Sequence, residues 1–263
     1  MVGLATGLLS GAFGVGGATI STPGIRVLGA SAFVAVGTTL PAIIPSAAVG
    51  TARYAREGLV DWAVVGATAP VGIVTAVAAS YASHAVPGEG HLLMVFTAAI
   101  LGYTAWRMAA KDDVSDEEEQ PGQPGGPGGP GGPGGPGERR SLPGAAGVGA
   151  LAGTLSGLLG VGGGVVLVPG FSEFLRLPLK TAIATSLACV GILAVPSTVA
   201  HTLLDDIDWR MALLLAVAVV PGSRLGATLS IRTTDRRLRL AVAAFLGAIA
   251  VAYGVGELSA ALR

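Results

Sequence analysis

Leu9-Ser-Gly-Ala-Phe-Gly-Val-Gly-Gly-Ala18 and Leu155-Ser-Gly-Leu-Leu-Gly-Val-Gly-Gly-Gly164 are two versions of one decapeptide, offset by 146 residues. Pro23-Gly24 falls on Pro169-Gly170 at the same offset. At 147 residues Thr38-Thr39-Leu40 meets Thr185-Ser186-Leu187, and Asp61-Trp62 meets Asp208-Trp209. Matches at constant spacing over more than fifty residues mark an internal repeat. Each decapeptide lies inside a run free of Asp, Glu, Lys and Arg, at 1–25 and 141–172.

Further charge-free windows cover 27–52, 62–88, 90–106, 181–204, 211–223 and 240–256. About 20 apolar residues carry a helix across the roughly 30 Å hydrocarbon layer. Of the 263 residues 12% are charged, against about 25% in soluble domains, so much of the surface faces something other than water. A β-barrel needs alternating segments of about ten residues, and these runs are continuous. The expected fold is therefore all-α and polytopic in the membrane: about eight transmembrane segments in two homologous four-segment repeats, with helices broken at the glycine clusters. The segments fall near 2–27, 32–53, 60–82 and 90–109, then 144–174, 179–203, 209–231 and 238–259. Trp62, Trp209 and Trp106 at segment ends suit the headgroup layer. The apolar start lacks a basic leader region, so the first segment is expected to be retained.

Residues 111–140 separate the halves. An acidic run, 112–119, leads into a tract holding ten of the 42 glycines and six of the 16 prolines, a composition that buries no core and stays extended. This gives a first membrane repeat at 1–110, a flexible linker at 111–140 and a second repeat at 141–263. Four crossings per repeat make the repeats parallel; a re-entrant hairpin in the first segment leaves three crossings and makes them inverted. Basic residues divide eight to seven between the two sides of the bilayer, so the positive-inside rule leaves orientation open.

The clusters Gly14, Gly16, Gly17 and Gly160, Gly162, Gly163, Gly164 carry the strongest chemical signal. Each glycine costs a helix interior about 1 kcal/mol relative to alanine, so the helix breaks there. Irregular backbone at membrane depth survives only where protein or a water-filled cavity satisfies it. The following half-helix then presents free N–H groups and the positive end of its dipole, which suits an anion. Close helix packing is the competing use of small residues, and it is the better account of the isolated Gly3-x-x-x-Gly7 spacing. Neither cluster ends in the Gly-Lys-Ser/Thr of a phosphate loop. The matched pairs Thr38-Thr39 and Thr185-Ser186, with Ser10 and Ser156 at lower weight, offer hydroxyls to an anion or bond their own preceding carbonyls. Arg224, the one basic residue well inside a span, either meets the anion or snorkels to the interface.

Asp61 and Asp208 read as helix caps. The three histidines have no repeat partner, so neither a metal cluster nor a cofactor site is expected, and no catalytic constellation falls in the spans. The 16 basic and 16 acidic residues give no basic face for nucleic acid. Cys189 cannot form an internal disulfide.

The run Ser-Gly-x-x-Gly-Val-Gly-Gly-Gly with Val-x-Val-Pro, the Ala-x-Ala-Thr-Ser-Leu of 182–187, and the Asp-Trp before each third helix resemble the TauE/SafE family of sulfite-exporter-like permeases. The second half resembles it closely through 155–169, 182–187 and Pro221-Gly-Ser-Arg-Leu-Gly-Ala227. The first half is looser: Ala18 replaces the last glycine, Gly37 opens the hydroxyl motif, and Pro70-Val-Gly72 only partly matches. The resemblance implies transport of small anions such as sulfite, sulfoacetate or related sulfonates, in the plasma membrane of a bacterium or archaeon. The expected function is a secondary transporter, not an enzyme, whose partners are the lipid bilayer and a small anion. Gly14, Gly16, Gly17, Thr38, Thr39, Gly160, Gly162, Gly163, Gly164, Thr185, Ser186 and Arg224 are its expected binding residues. Coupling to a proton or cation, and oligomerisation, stay open. Alternating access would follow from rocking one repeat against the other. A non-transporting scaffold or accessory subunit is the alternative.

Overall fold

The computed structural model describes residues 2–27, 29, 32–83, 99, 102–103, 105–106, 142–159 and 163–261. The linker 111–140 and most of the segment 90–109 lie outside the described residues. Everything described is helix, turn or coil, with no strand. Among the described residues nine helices run in order: α1 (Val2–Phe13), α2 (Ala18–Val27), α3 (Ala32–Ala55), α4 (Trp62–Ser83), α5 (Leu142–Leu159), α6 (Gly164–Pro169, widening into a π-helical turn at Gly170–Phe174), α7 (Leu179–Leu203), α8 (Trp209–Arg232) and α9 (Asp235–Ala261).

Four of them are long and apolar enough to cross a membrane: Val34–Ala55 in α3, Trp62–Ala82 in α4, Leu179–Leu203 (α7) and Trp209–Arg232 (α8). α7 lies at the centre. Every residue from Ala182 to Val190 is buried, as expected of a helix apolar on all sides. α8 is two-sided. Ala212, Val219, Gly222, Ser223, Gly226, Ala227 and Ser230 face inward, while Leu213, Leu214, Val217, Leu225 and Leu229 are exposed, the pattern of a helix whose outer face meets lipid. The Asp208 carboxylate accepts from the Arg210 and Met211 N–H groups at 3.0 and 3.2 Å, capping α8. Asp61 caps α4 likewise through Ala63 and Val64.

The first segment of each half is two helices that fold back. Gly17 lies beside Thr6 and Ser10, since a β-carbon on it would meet the Thr6 Cγ2 at 2.9 Å. In the second half Gly163 lies against Ala152 and Gly170 against Val148; the contacts descend α5 as they ascend α6, so the arms are antiparallel. α1 and α2, with 12 and 10 residues, reach only about 18 and 15 Å, short of the roughly 30 Å layer. The entering arm of the second hairpin is longer, at 18 residues.

Two glycine stripes set the helix pairs. Gly3, Gly7 and Gly11 of α1 pack on Ala218, Val219 and Ser223 of α8, and Gly222 and Gly226 of α8 pack back on Leu4 and Leu8. Gly149, Gly153 and Gly157 of α5 pack in the same way on Thr68, Gly72 and Ala76 of α4. A β-carbon at any of these glycines would come closer than 3.0 Å to a neighbouring helix, against backbone everywhere except Gly3. This is close packing through small residues, the role expected for Gly3-x-x-x-Gly7.

The same contacts give direction. Numbers rise together along α1 and α8 and along α5 and α4, so each pair is parallel. α3 runs with α8, through Thr38 to Asp208 and Ser46 to Ser223. α7 runs with α4, through Thr185 to Asp61 and Leu193 to Gly72. α3 opposes α7, with Ala47 beside Gly191 and Gly50 beside Leu187. It follows that α1 opposes α5, α3 opposes α7 and α4 opposes α8: helices matched by sequence run in opposite directions.

Candidate functional site

The glycine clusters are the tips of the two hairpins. Gly14, Gly16 and Gly17 have φ of 71°, 82° and 71°, and Gly163 has 64°, a left-handed region costly for any residue with a β-carbon. A run of such angles turns α1 back into α2 within four residues. The tips meet: a β-carbon on Gly164 would lie 2.7 Å from the Gly14 carbonyl oxygen and 2.7 Å from the Val15 carbonyl carbon. α7 closes the junction, with the Ile183 carbonyl against Gly14 and the Val190 side chain against Gly16. Gly160 and Gly162 lie outside the described residues.

The hydroxyl pairs are buried and divide their work. Ser186 donates to the Gly14 carbonyl at 2.9 Å and so reaches the tip directly. Thr39 donates to the Val36 carbonyl at 2.9 Å and lies 3.3 Å from the Thr22 hydroxyl on α2. Thr38 accepts from the Asp208 N–H at 3.0 Å, and Thr185 accepts from the Asp61 N–H at 3.0 Å. These last two bonds are the same bond made twice, each tying the second helix of one half to the start of the third helix of the other. Thr38 and Thr185 thus hold the helix framework around the junction, whereas Thr39 and Ser186 face the tips. Arg224 is not brought to the junction: it is exposed on α8.

Several polar groups at the first hairpin were not singled out from the sequence. Thr6 and Thr19, each 2% exposed, carry hydroxyls without a hydrogen-bond partner among the described residues. Ser46 donates to Ser10 at 3.3 Å, and Ser223 donates to the Ser46 carbonyl at 2.6 Å. At the matched positions Thr6, Thr19 and Thr22 become Ala152, Val165 and Val168, so a reading weighted towards repeated residues passes over them. The signal present in the sequence is the four-residue spacing of Thr6 and Ser10, which places both on one helix face. Among the described residues no group of three or more His, Cys, Asp or Glu is placed to hold a metal ion.

Among the described residues the junction therefore offers N–H groups at the start of α2, several hydroxyls and no Lys, Arg or His side chain. The sulfite exporter TauE/SafE family model matches residues 1–253. The chain belongs to the sulfite exporter TauE/SafE family. Relatives of this family member extend over most of its length. It is 28% identical over 236 residues to a probable membrane transporter protein of Xylella fastidiosa, covering 88% of this chain and 82% of that one. Similar proteins described in the same words occur in Bacillus subtilis, at 25% over 249 residues and 94% of both chains, and in Methanocaldococcus jannaschii, at 22% over 267 residues, 94% of this chain and 91% of that one. No solved structure matches the chain. Family and apolar helices together make the chain an integral membrane protein of a transporter family.

Proposed function

We propose that the protein is a secondary transporter of small anions, sulfite, sulfonates or related organic anions, in the cell membrane. Two inverted repeats, 1–110 and 141–263, joined by the acidic and Gly/Pro-rich linker 111–140, each contribute a re-entrant hairpin followed by crossing helices. The hairpins enter from opposite faces of the bilayer, and the anion sits where their tips meet. The observation that carries this reading is the contact of Gly164 with Gly14 and Val15, which puts two helix breaks at one point inside the protein. Broken helices meeting between repeats are the common substrate-site plan of secondary transporters. The N–H groups opening α2 and its positive dipole end favour an anion there. Ser186 and Thr39 flank the tips; each now donates its one hydroxyl proton to a backbone carbonyl and turns to the anion when it binds. Gly160 and Gly162 belong to the second tip by sequence, Thr38 and Thr185 act by holding its frame, and exposed Arg224 takes the snorkelling role.

The test is anion flux in proteoliposomes across a panel of sulfite, sulfonates and carboxylates. Gly163→Val forces a branched side chain into a φ of 64° with the Ala152 carbonyl 2.7 Å from its β-carbon, and should abolish flux. Ser186→Ala removes only the hydroxyl and should lower flux in a protein that still folds. Flux unchanged in both variants sinks the tip model; no flux with any anion in the unaltered protein sinks the transport reading.

A further inference from the structure

Among the described residues the junction shows no positive side chain. Lys, Arg and His are absent from 1–25, 27–52, 141–175 and 181–200, which take in α1, α2 as far as Ile25, α5, α6, most of α3 and the central part of α7; Arg26 stands in the last turn of α2, at the end away from the tip. We propose, on the strength of the transport reading above, that the site selects a monovalent anion and rejects dianions, and that the first hairpin holds it.

The charge an anion meets there is limited. A helix N-terminus supplies about half a positive charge, and the remaining donors are neutral hydroxyls and N–H groups. Nearby, Asp61 is buried at 1% exposure. Its N–H is bonded to Thr185, and the next residue in α7, Ser186, touches the tip. The Asp61 carboxylate accepts from the Ala63 and Val64 N–H groups and brings no positive charge to the tip. The desolvation cost of an ion grows with the square of its charge, so a dianion costs four times what a monoanion does. Buried charge is tolerated only when paired or well hydrogen-bonded, and the available donors match one charge rather than two.

Location follows from the unequal polarity of the hairpins. Thr6 and Thr19 are buried with unpartnered hydroxyls beside the first tip, and Thr22 reaches Thr39. The matched positions of the second hairpin are Ala152, Val165 and Val168, which offer nothing to an oxyanion. Unpartnered hydroxyls in a dry interior are destabilising by themselves; an oxyanion accepting from them removes that cost.

The experiment uses the full-length protein in proteoliposomes, with radiolabelled sulfite flux competed by size-matched unlabelled anions: methanesulfonate as the monoanion and sulfate as the dianion. Methanesulfonate should compete at least tenfold better than sulfate. Sulfite flux should fall about tenfold per pH unit above its second ionisation, following the fraction present as hydrogensulfite, while methanesulfonate flux stays flat. Thr19→Val should weaken methanesulfonate competition several-fold, and Val165→Ala on the matched side should leave it unchanged. Equal competition by sulfate, or sulfite flux that rises with pH, overturns the charge selection and leaves anion transport standing. Equal effects of the two hairpin variants overturn the location. Silence of the whole panel overturns the transport reading and this inference with it.

Discussion

Gly7→Ala and its matched counterpart Gly153→Ala should cost the same, and far more than Gly66→Ala. The β-carbon added at Gly7 meets the carbonyl oxygen, the carbonyl carbon and the Cα of Val219 below 3.0 Å; that at Gly153 meets the carbonyl oxygen and Cα of Gly72, and the Thr75 hydroxyl. The Thr75 side chain can turn aside, but at both sites backbone of a neighbouring helix remains in the way. The helix axes must separate, and each contact along the stripe loosens with them. Overpacking of this kind costs about 1–3 kcal/mol, and backbone obstruction puts these two sites near the upper end. At Gly66, on the exposed side of α4, a β-carbon has nothing within 4 Å. There alanine instead recovers up to about 1 kcal/mol of helix propensity. The expected gap between control and stripe variants is therefore about 3 kcal/mol. Reversible unfolding of the purified protein by SDS titration from mixed micelles, followed by far-ultraviolet circular dichroism, measures it. If Gly7→Ala and Gly153→Ala are as stable as Gly66→Ala, the stripes do not set the helix spacing. If they differ from each other by more than about 1 kcal/mol, the two stripes are not equivalent, since an overpacking cost follows the obstruction met at each site.

Thr185→Val should lose about 1–3 kcal/mol, because the buried Asp61 N–H is left without its acceptor, and Thr38→Val should lose less, because Asp208 is exposed and water reaches its N–H; the same titration reads this. Asp208→Ala should cost about 1 kcal/mol as a lost helix cap, with anion competition unaltered. Cys189, fully buried in α7, should react with a membrane-permeant maleimide only as the protein unfolds, so labelling and circular dichroism should share one midpoint. In a Cys189→Ala background, a disulfide between Gly3→Cys and Ala218→Cys should leave flux intact, while one between Ala47→Cys and Gly191→Cys should arrest it; the β-carbons would lie 2.6 and 2.8 Å apart, and an outward shift of about 1 Å brings each pair to disulfide spacing.

The helical segments were legible because charge-free runs have few other uses at this length, and the observed α3, α4, α7 and α8 match them to within a few residues. The breaks were legible too, since Gly-x-Gly-Gly inside an apolar run has a poor helical solution. The return of the chain was not. The apolar pattern is the same whether a broken helix continues or reverses, and what makes Gly14 turn back is contact with Ile183 and Gly164, some 150 or more residues away. Arg224 illustrates a different limit. Depth along a span suggested an interior charge, yet Arg224 lies seven residues from exposed Val217 and so shares its helix face, while the neighbouring Ser223 and Gly226 are buried. Position around the helix, not depth, decided its environment.

The contacts also decide what moves if this family member transports as proposed. Rocking the first sequence half against the second would break both glycine stripes and both Thr–Asp bonds, because α1 and α3 are fixed to α8, and α5 and α7 to α4. The bodies that can move without that loss are α1, α2, α3 and α8 on one side and α4, α5, α6 and α7 on the other, each taking its last helix from the opposite half. Between them lie the α3–α7 face, where Ala47 meets Gly191, and the contact of the two tips. Few hydrogen bonds cross there, and one of them is Ser186 to Gly14. A site at the tips is then a site at the sliding boundary, where an anion accepting from both bodies interacts differently in each alignment. That difference in binding energy is the only means by which a ligand shifts a conformational equilibrium, and the exchanged third helices are what place it there.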